Sequence, residues 1–289
     1  MKAIKNILVT GANGQLGSEF NVISERFPGY QFLFACREDL AIEDEASVAA
    51  YFASHEIDCC INCAAYTAVD KAEAEQEQAL AINATAVGNL AATCRTHKAL
   101  FIHFSTDYVF NGKATVPYKE TDVTDPVNFY GQTKLLGEQA AINNNKDAIV
   151  IRTSWVFSRF GKNFVKTMLR LMQEKESIGV VADQYGCPTY AADLAAAVMH
   201  IIDAGKFTPG IYHYCNQGII SWHEFAMAIQ ELSGSPCKLN AIETAAYPTP
   251  AARPHYSALN TSKISEEFSL ERLPWKQSLQ HCLALLQST

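Results

Sequence analysis

The stretch NILVTGANGQLG, residues 6–17, decides the fold. A short apolar run leads straight into Gly11, Gly14 and Gly17, spaced G-x-x-G-x-x-G. Such a run, bounded by a turn signal, reads as a strand buried on both faces. Glycine at its end allows a tight turn, lets the backbone approach a pyrophosphate and lets the next helix pack close to the sheet. That helix offers free N–H groups and the positive end of its dipole to phosphates. A lone glycine pattern is weak. Directly after a first strand, in the context that defines it, the pattern reads as a dinucleotide-binding turn.

Further strands follow: YQFLFAC (30–36), DCCINCA (58–64), ALFIHFST (99–106) and AIVIRTSW (148–155). Helical segments lie between them, the longest being ALAINATAVGNLAATCRTH (79–97). Strands alternating with helices imply an α/β fold with a doubly wound parallel sheet of the Rossmann type and a smaller C-terminal substrate lobe. Residues 1–155 are expected to form the dinucleotide-binding domain, its core extended by parts of 190–220. Residues 156–289 are expected to form mainly a substrate-binding lobe, interleaved with the first. There KNFVKTMLRLMQEKES (162–177) and SWHEFAMAIQELSG (221–234) read as amphipathic helices, and the proline-rich TAAYPTPAARPHYSALN (244–260) reads as irregular.

Composition narrows the function. With 289 residues, 48% hydrophobic and 18% charged, the chain can bury a sizeable core and is not a disordered one. A net charge of −7 argues against a nucleic-acid partner but leaves an anionic small molecule open. No apolar run reaches the ~18–20 residues of a membrane helix, and the N-terminal run is too short for a secretory signal. Nine cysteines without a disulfide rhythm fit a reducing, cytoplasmic setting. Cys60 and Cys63 are formally C-x-x-C, yet residues three apart on a strand face opposite sides, so they read as core. His103, His213 and His223 lack zinc spacing and read as structural. No G-x-S-x-G or G-x-x-x-x-G-K-[ST] occurs.

Cofactor choice turns on the second strand's end, FACRED. An acid there would hold the ribose hydroxyls of NAD and repel the 2′-phosphate of NADP. Here Arg37 offers a partner to a 2′-phosphate, and Asp39 can reach the adenine end; Arg37 as a plain surface charge is nearly as good a reading. NADPH is favoured, with NADH left open. Ala64 and Ala65, at the third strand's end, let the chain pass close to a ribose or nicotinamide ring.

FSTDYVFNG (104–112) places hydroxyls of Ser105 and Thr106 at the carboxyl edge of the sheet, where ligands bind in such folds. Tyr130 and Lys134, within NFYGQTKLLGEQAA (128–141), share one face of a helix. A phenol with a reference pKa of ~10 is a slow acid at neutral pH, and a neighbouring ammonium is expected to lower it. Threonine, tyrosine and lysine together, in a dinucleotide-binding fold, form a carbonyl/alcohol redox site.

Taken together, GANGQLG, STDYVFNG, YGQTKLLGE, RTSWVF, DQYGCPTY and YPTPAARPHYSALN resemble the dTDP-4-dehydrorhamnose reductase family, a branch of the extended short-chain dehydrogenases/reductases. The likeness spans nearly the whole chain, and the last three motifs are much more specific than the glycine loop. It implies NAD(P)H-dependent reduction of the 4-keto group of dTDP-4-dehydro-6-deoxy-L-mannose to dTDP-L-rhamnose. Carried over by motif, Tyr130 is the general acid, Lys134 its modulator and ribose ligand, and Thr106 a hydroxyl on the 4-oxygen. Gly11, Asn13, Gly14, Gln15, Leu16 and Gly17 would line the pyrophosphate; Arg37, Asp39, Ala64, Ala65 and Thr67 would line the rest of the cofactor path. Val69, Asp107, Tyr108, Trp155 and Arg253 would form the nucleotide-sugar side, with Arg253 facing the diphosphate. Trp155 as core packing is an equal alternative.

Some family members are dimers bridged by magnesium through glutamates. Here Glu19 follows the glycine loop, but TYAADLAAA carries only Asp193 and the terminal LALLQST carries no acid. No metal ligand is assigned, and a homodimer is left open. Two rivals stand beside this reading: another nucleotide-sugar epimerase or dehydratase of the same superfamily, and a non-catalytic, NADP-binding regulatory subunit.

Overall fold

A computed structural model describes residues 4–287. Met1–Ala3, in the stretch judged too short for a secretory signal, and Ser288–Thr289, in the acid-free tail, lie outside the described residues. Strands β1 (Asn6–Thr10), β2 (Gln31–Ala35), β3 (Cys59–Asn62), β4 (Leu100–Thr106), β5 (Ile149–Thr153) and β6 (Gly210–His213) form one sheet in the order 6-5-4-3-1-2. Every pairing in it is parallel. The expected doubly wound parallel sheet is therefore present. Chain order reverses between β1 and β3, the point where a ligand crevice opens in such sheets.

The strands are buried on both faces because helices cover both. The longer helices are α1 (Gln15–Ser24), α2 (Glu45–Ser54), α3 (Ala86–Thr96), α4 (Phe129–Asn144), α5 (Phe164–Glu174), α6 (Ala191–Asp203), α7 (Trp222–Ser233) and α8 (Trp275–Gln287). On one face Ile7, Ile61, Ile102 and Ile151 pack against Phe20 of α1 and Leu194 and Val198 of α6. On the other, Leu8, Cys60, Phe101 and Val150 pack beneath Val48 of α2, Leu90 of α3 and Ala141 of α4. Cys60 belongs to the second cluster and Cys63 packs against the first, as the strand period requires.

Towards the carboxyl edge the α4 face of the sheet turns polar. Thr10, Asn62 and His103 lie side by side in register on β1, β3 and β4. One step further, Ser105, Arg152 and His213 lie side by side on β4, β5 and β6. Arg152 donates to Glu138 of α4 through Nε at 2.8 Å and Nη2 at 2.7 Å. Both side chains are buried, so the pair is costly to break from one side only.

Several boundaries differ from the sequence expectation. The helix expected over 79–97 starts at Gln76 and passes through a π-helical turn, Ala81–Thr85, before α3. Asn83 in that turn bonds the backbone N–H and carbonyl of Tyr66 and the hydroxyl of Thr133. These tertiary bonds hold the extra residue out of the regular ladder. The strand expected to reach residue 155 stops at Thr153, because Trp155 adopts a left-handed backbone with φ +48°. The helix expected to reach residue 177 stops at Glu174; Ser177–Val181 then pairs in parallel with Lys238–Ile242. A separate cluster containing Phe157, Val165, Met168, Phe225 and Leu279 forms the core of the C-terminal part.

Helix α4 can sit close to the π-helical turn only because residue 137 has no side chain. A Cβ on Gly137 would lie 2.0 Å from the carbonyl oxygen of Asn83. Gly137→Ala is expected to destabilise the fold by about 1–3 kcal/mol, the usual cost of overpacking a filled interior. Urea unfolding checks this; an unchanged midpoint would contradict the close approach.

Candidate active site

The carboxyl edge of the sheet presents three loops to one crevice. The first is the glycine turn. Gly11 has φ +63°, and a Cβ there would stand 2.6 Å from the backbone nitrogen of Ala64. A Cβ on Gly17 would meet the carbonyl oxygen of Gly11 at 2.4 Å, so α1 packs tightly behind the turn. Helix α1 has Gly14 as its N-cap, with no side-chain cap and no acid in its first turn. Its first N–H groups are therefore free to take an anion. Gly11, Asn13, Gly14, Arg37, Ala64 and Ala65 line a cleft of about 320 Å³ above it. The cradle and the uncapped helix end fit the diphosphate and adenosine half of a dinucleotide.

Other residues expected on the cofactor path are engaged elsewhere. The Arg37 guanidinium pairs with Glu43 in a largely exposed setting, so a 2′-phosphate would have to compete with that carboxylate. Asp39 accepts hydrogen bonds from the Cys36 backbone N–H at 3.0 Å and from its thiol at 2.8 Å, which hold the carboxyl below its usual range. Gln15 accepts from Asn163 at 2.9 Å, and Leu16 packs against the core under α1. Thr67 is exposed and Val69 half-buried on the segment that follows β3.

The second loop leaves β4 at Thr106, whose hydroxyl donates to Asp107 Oδ1 at 3.0 Å and accepts from the Tyr108 N–H at 3.2 Å. Helix α4 docks directly on this turn. A Cβ on Gly131 would sit 2.2 Å from the carbonyl oxygen of Tyr108, which explains the glycine after Tyr130. Asn128 caps α4 by accepting from the Gly131 N–H at 2.7 Å, and its amide donates to the Ala252 carbonyl at 2.8 Å. Glu73 accepts from the Phe129 N–H at 2.9 Å. These contacts bring the Tyr130 ring edge-on to Tyr108, with centroids 6.0 Å apart. Thr106, Asp107, Tyr108 and Tyr130 thus converge.

The electrostatics differ from the simple sequence picture. Burial, reinforced by the nearby Asp107 carboxyl, pushes the Tyr130 phenol above its usual value, and a hydrogen bond with Thr106 opposes this. The Lys134 Nζ donates to the Phe104 carbonyl at 2.7 Å. Burial brings Lys134 itself down to about 8, with Glu138 pulling the other way. Asp107, wholly enclosed, is pushed by burial up to about 7 against hydrogen bonds from Ser257 and Thr106.

The third segment carries Arg253, expected on the nucleotide-sugar side. Arg253 forms a two-pronged ion pair with Asp70, at 2.9 and 3.0 Å, and donates to the Ala251 carbonyl. Tyr108, Asp70, Arg253, Trp222, Met168 and Gln184 line a cavity of about 720 Å³ between the sheet edge and the C-terminal core. Trp155 stacks face to face on Trp222 at 3.5 Å and lies over Gly186. It buttresses the wall that Trp222 presents to that cavity. Asp70, Asn128 and Trp222 escape a reading of the sequence alone. Only Asn128 leaves a signal, as an amide immediately before a helix. No metal-binding group of three or more His, Cys, Asp or Glu is found among the described residues.

Comparison with known proteins places the chain among sequences and structures of one family. The family profile described as the RmlD substrate binding domain matches residues 5–288. A dTDP-4-dehydrorhamnose reductase of Burkholderia thailandensis is 40% identical, covering 98% of this chain and 99% of that protein. The spore coat polysaccharide biosynthesis protein SpsK of Bacillus subtilis is 42% identical, covering 96% of each. A crystal structure of the Bacillus anthracis dTDP-4-dehydrorhamnose reductase in complex with NADP superposes with a TM-score of 0.93 at 34% identity, covering 98% of this chain and 99% of that one. The chain belongs to the dTDP-4-dehydrorhamnose reductase family.

Proposed function

We propose that the protein reduces the 4-keto group of dTDP-4-dehydro-6-deoxy-L-mannose to give dTDP-L-rhamnose, the last step of dTDP-rhamnose synthesis, with NADPH as favoured reductant and NADH accepted. The observation that carries this is the convergence of Thr106 and the Tyr130 phenol at the carboxyl edge of the sheet, beside a glycine cradle. Full-length likeness to reductases of that name supports the substrate. The nicotinamide, when bound, supplies a hydride. Tyr130 carries its proton at neutral pH, as any phenol does, and can give it to the carbonyl oxygen as carbon is reduced. Thr106 orients that oxygen. Lys134, brought down to about 8, holds a proton it can release to restore the phenol. Arg253 exchanges Asp70 for the diphosphate, which offers it the same two-pronged geometry.

On this reading residues 1–155, with parts of 190–220, form the cofactor domain, and residues 156–289 mainly form the substrate lobe. All nine cysteines are free thiols, which supports a reducing, cytoplasmic setting. No described helix is long and apolar enough to cross a membrane. The test is to mix the protein with the keto sugar and NADPH or NADH, follow oxidation of the cofactor and identify the sugar by NMR. Stoichiometric oxidation with formation of dTDP-L-rhamnose is expected. An epimerised sugar with no cofactor consumed, or no reaction, overturns the proposal.

Tyr130→Phe is expected to lower kcat by about 10²-fold or more, the usual worth of a positioned acid, with NADPH binding nearly unchanged. Stopped-flow turnover and a fluorescence titration check the two halves. A second prediction concerns Asp107. Its folded value of about 7 lies above the ordinary 3.8, so the native state binds this proton more tightly than the unfolded chain. The resulting stabilisation is complete below about pH 4 and is lost as pH rises through about 7, at most about 4 kcal/mol. Asp107→Asn removes that dependence. Its Tm relative to the parent is expected to be distinctly higher at about pH 8.5 than at about pH 5; a constant difference would rule this out.

A further inference from the structure

The mechanism leaves a buried polar row unexplained. Thr10 Oγ1 donates to Asn62 Oδ1 at 2.7 Å, and Asn62 Nδ2 faces His103 Nδ1 at 3.1 Å. His103 Nε2 in turn faces Lys134 Nζ at a long 3.5 Å. All four side chains are buried. They come from three adjacent strands in register and from the helix above them.

The row has a direction. In the orientation found, the Asn62 carboxamide oxygen faces the Thr10 hydroxyl and its N–H₂ faces His103 Nδ1; it is this orientation, since a hydroxyl can donate or accept, that makes the amide the donor to Nδ1. Nδ1 is then an acceptor and carries no proton. Burial and the nearby Lys134 charge keep the imidazole far below its usual range, so the ring is neutral. With Nδ1 accepting in this way, the single N–H is on Nε2, facing the lysine nitrogen. A ring N–H meets the lone pair of an amine well and the hydrogens of an ammonium badly. We propose that His103, fixed in this tautomer by Asn62 and Thr10, is a positioning residue that makes the uncharged amine an accessible state of Lys134.

The other groups facing Lys134 fit this role. From β4, the Phe104 carbonyl accepts one N–H at 2.7 Å. On its own helix, Glu138 favours the charged form, but both carboxylate oxygens are held by Arg152 of β5. Tyr130 lies one turn away on α4. A lysine that can give up its proton and take it back is what the proposed reaction needs after Tyr130 has donated. The inference rests on that reading for its purpose, but not for its measurement.

The test uses NMR on the whole protein, with ¹⁵N-labelled histidine and lysine. His103 is expected to show Nε2 protonated and Nδ1 bare from about pH 6 to about pH 9, and Lys134 to titrate below the ordinary lysine range. In Asn62→Asp, a carboxylate faces Nδ1 and draws the ring proton to that side. Nε2 then becomes an acceptor for the ammonium, and the Lys134 midpoint is expected to rise by about one pH unit or more. The basic limb of kcat/KM for the keto sugar should move with it while KM changes little. An Nδ1–H tautomer or an imidazolium in the parent protein overturns the proposal, as does an unmoved Lys134 midpoint in the folded variant. Should that variant not fold, the parent tautomer alone decides. Absence of keto-sugar reduction would instead strike the proposed function and leave the tautomer standing.

Discussion

The glycine turn, Ala64, Ala65, Thr106 and Asp107 owe their meeting to the parallel register of the sheet. Each strand starts at the same end, so each ends at the same edge, and the loops after β1, β3, β4 and β5 meet there. Burial on both faces fixes that register. A slip of one residue would exchange Ile7 and Ile61 with Leu8 and Cys60 and turn the polar row of Thr10, Asn62 and His103 into the α1 side of the core. Apolar packing along most of each strand therefore sets the position of the few polar groups at its end.

The first half of the fold was legible in the sequence because its signals are local. Continuous apolar runs marked β1 to β5, and the glycine spacing marked the crevice. Boundaries failed where tertiary contacts override local preference. Asn83 reaches across to Tyr66 and Thr133, and the helix expected over 79–97 gains a π-helical turn. Trp155 takes a left-handed backbone so that its ring can lie on Trp222, sixty-seven residues later in the chain. No local pattern encodes such a partner. The site divides in the same way. Thr106, Tyr130 and Lys134 stand in recognisable motifs, whereas the Asp70–Arg253 pair spans a separation of 183 residues and exists only in three dimensions.

The expectation that Lys134 acidifies Tyr130 rested on sharing a helix face. In the structure the lysine nitrogen meets the Phe104 carbonyl and the His103 ring on β4. The phenol is left in a poorly hydrated pocket near Asp107, and both influences favour its neutral form. The proton is therefore in place at neutral pH, but it is held more tightly than on a free phenol. The same burial that raises the phenol loosens the proton on the lysine, so one low-dielectric region shifts the two groups in opposite directions.

The stacked indoles of Trp155 and Trp222 have a practical consequence. The chain contains three tryptophans, and two of them form this single pair, one rooted just beyond β5 and the other in α7. Since Trp222 also lines the large cavity, any shift between the sheet edge and the C-terminal core alters the overlap of the two rings. Their ultraviolet emission and exciton circular dichroism are thus a built-in optical gauge of that boundary, readable without attaching a dye.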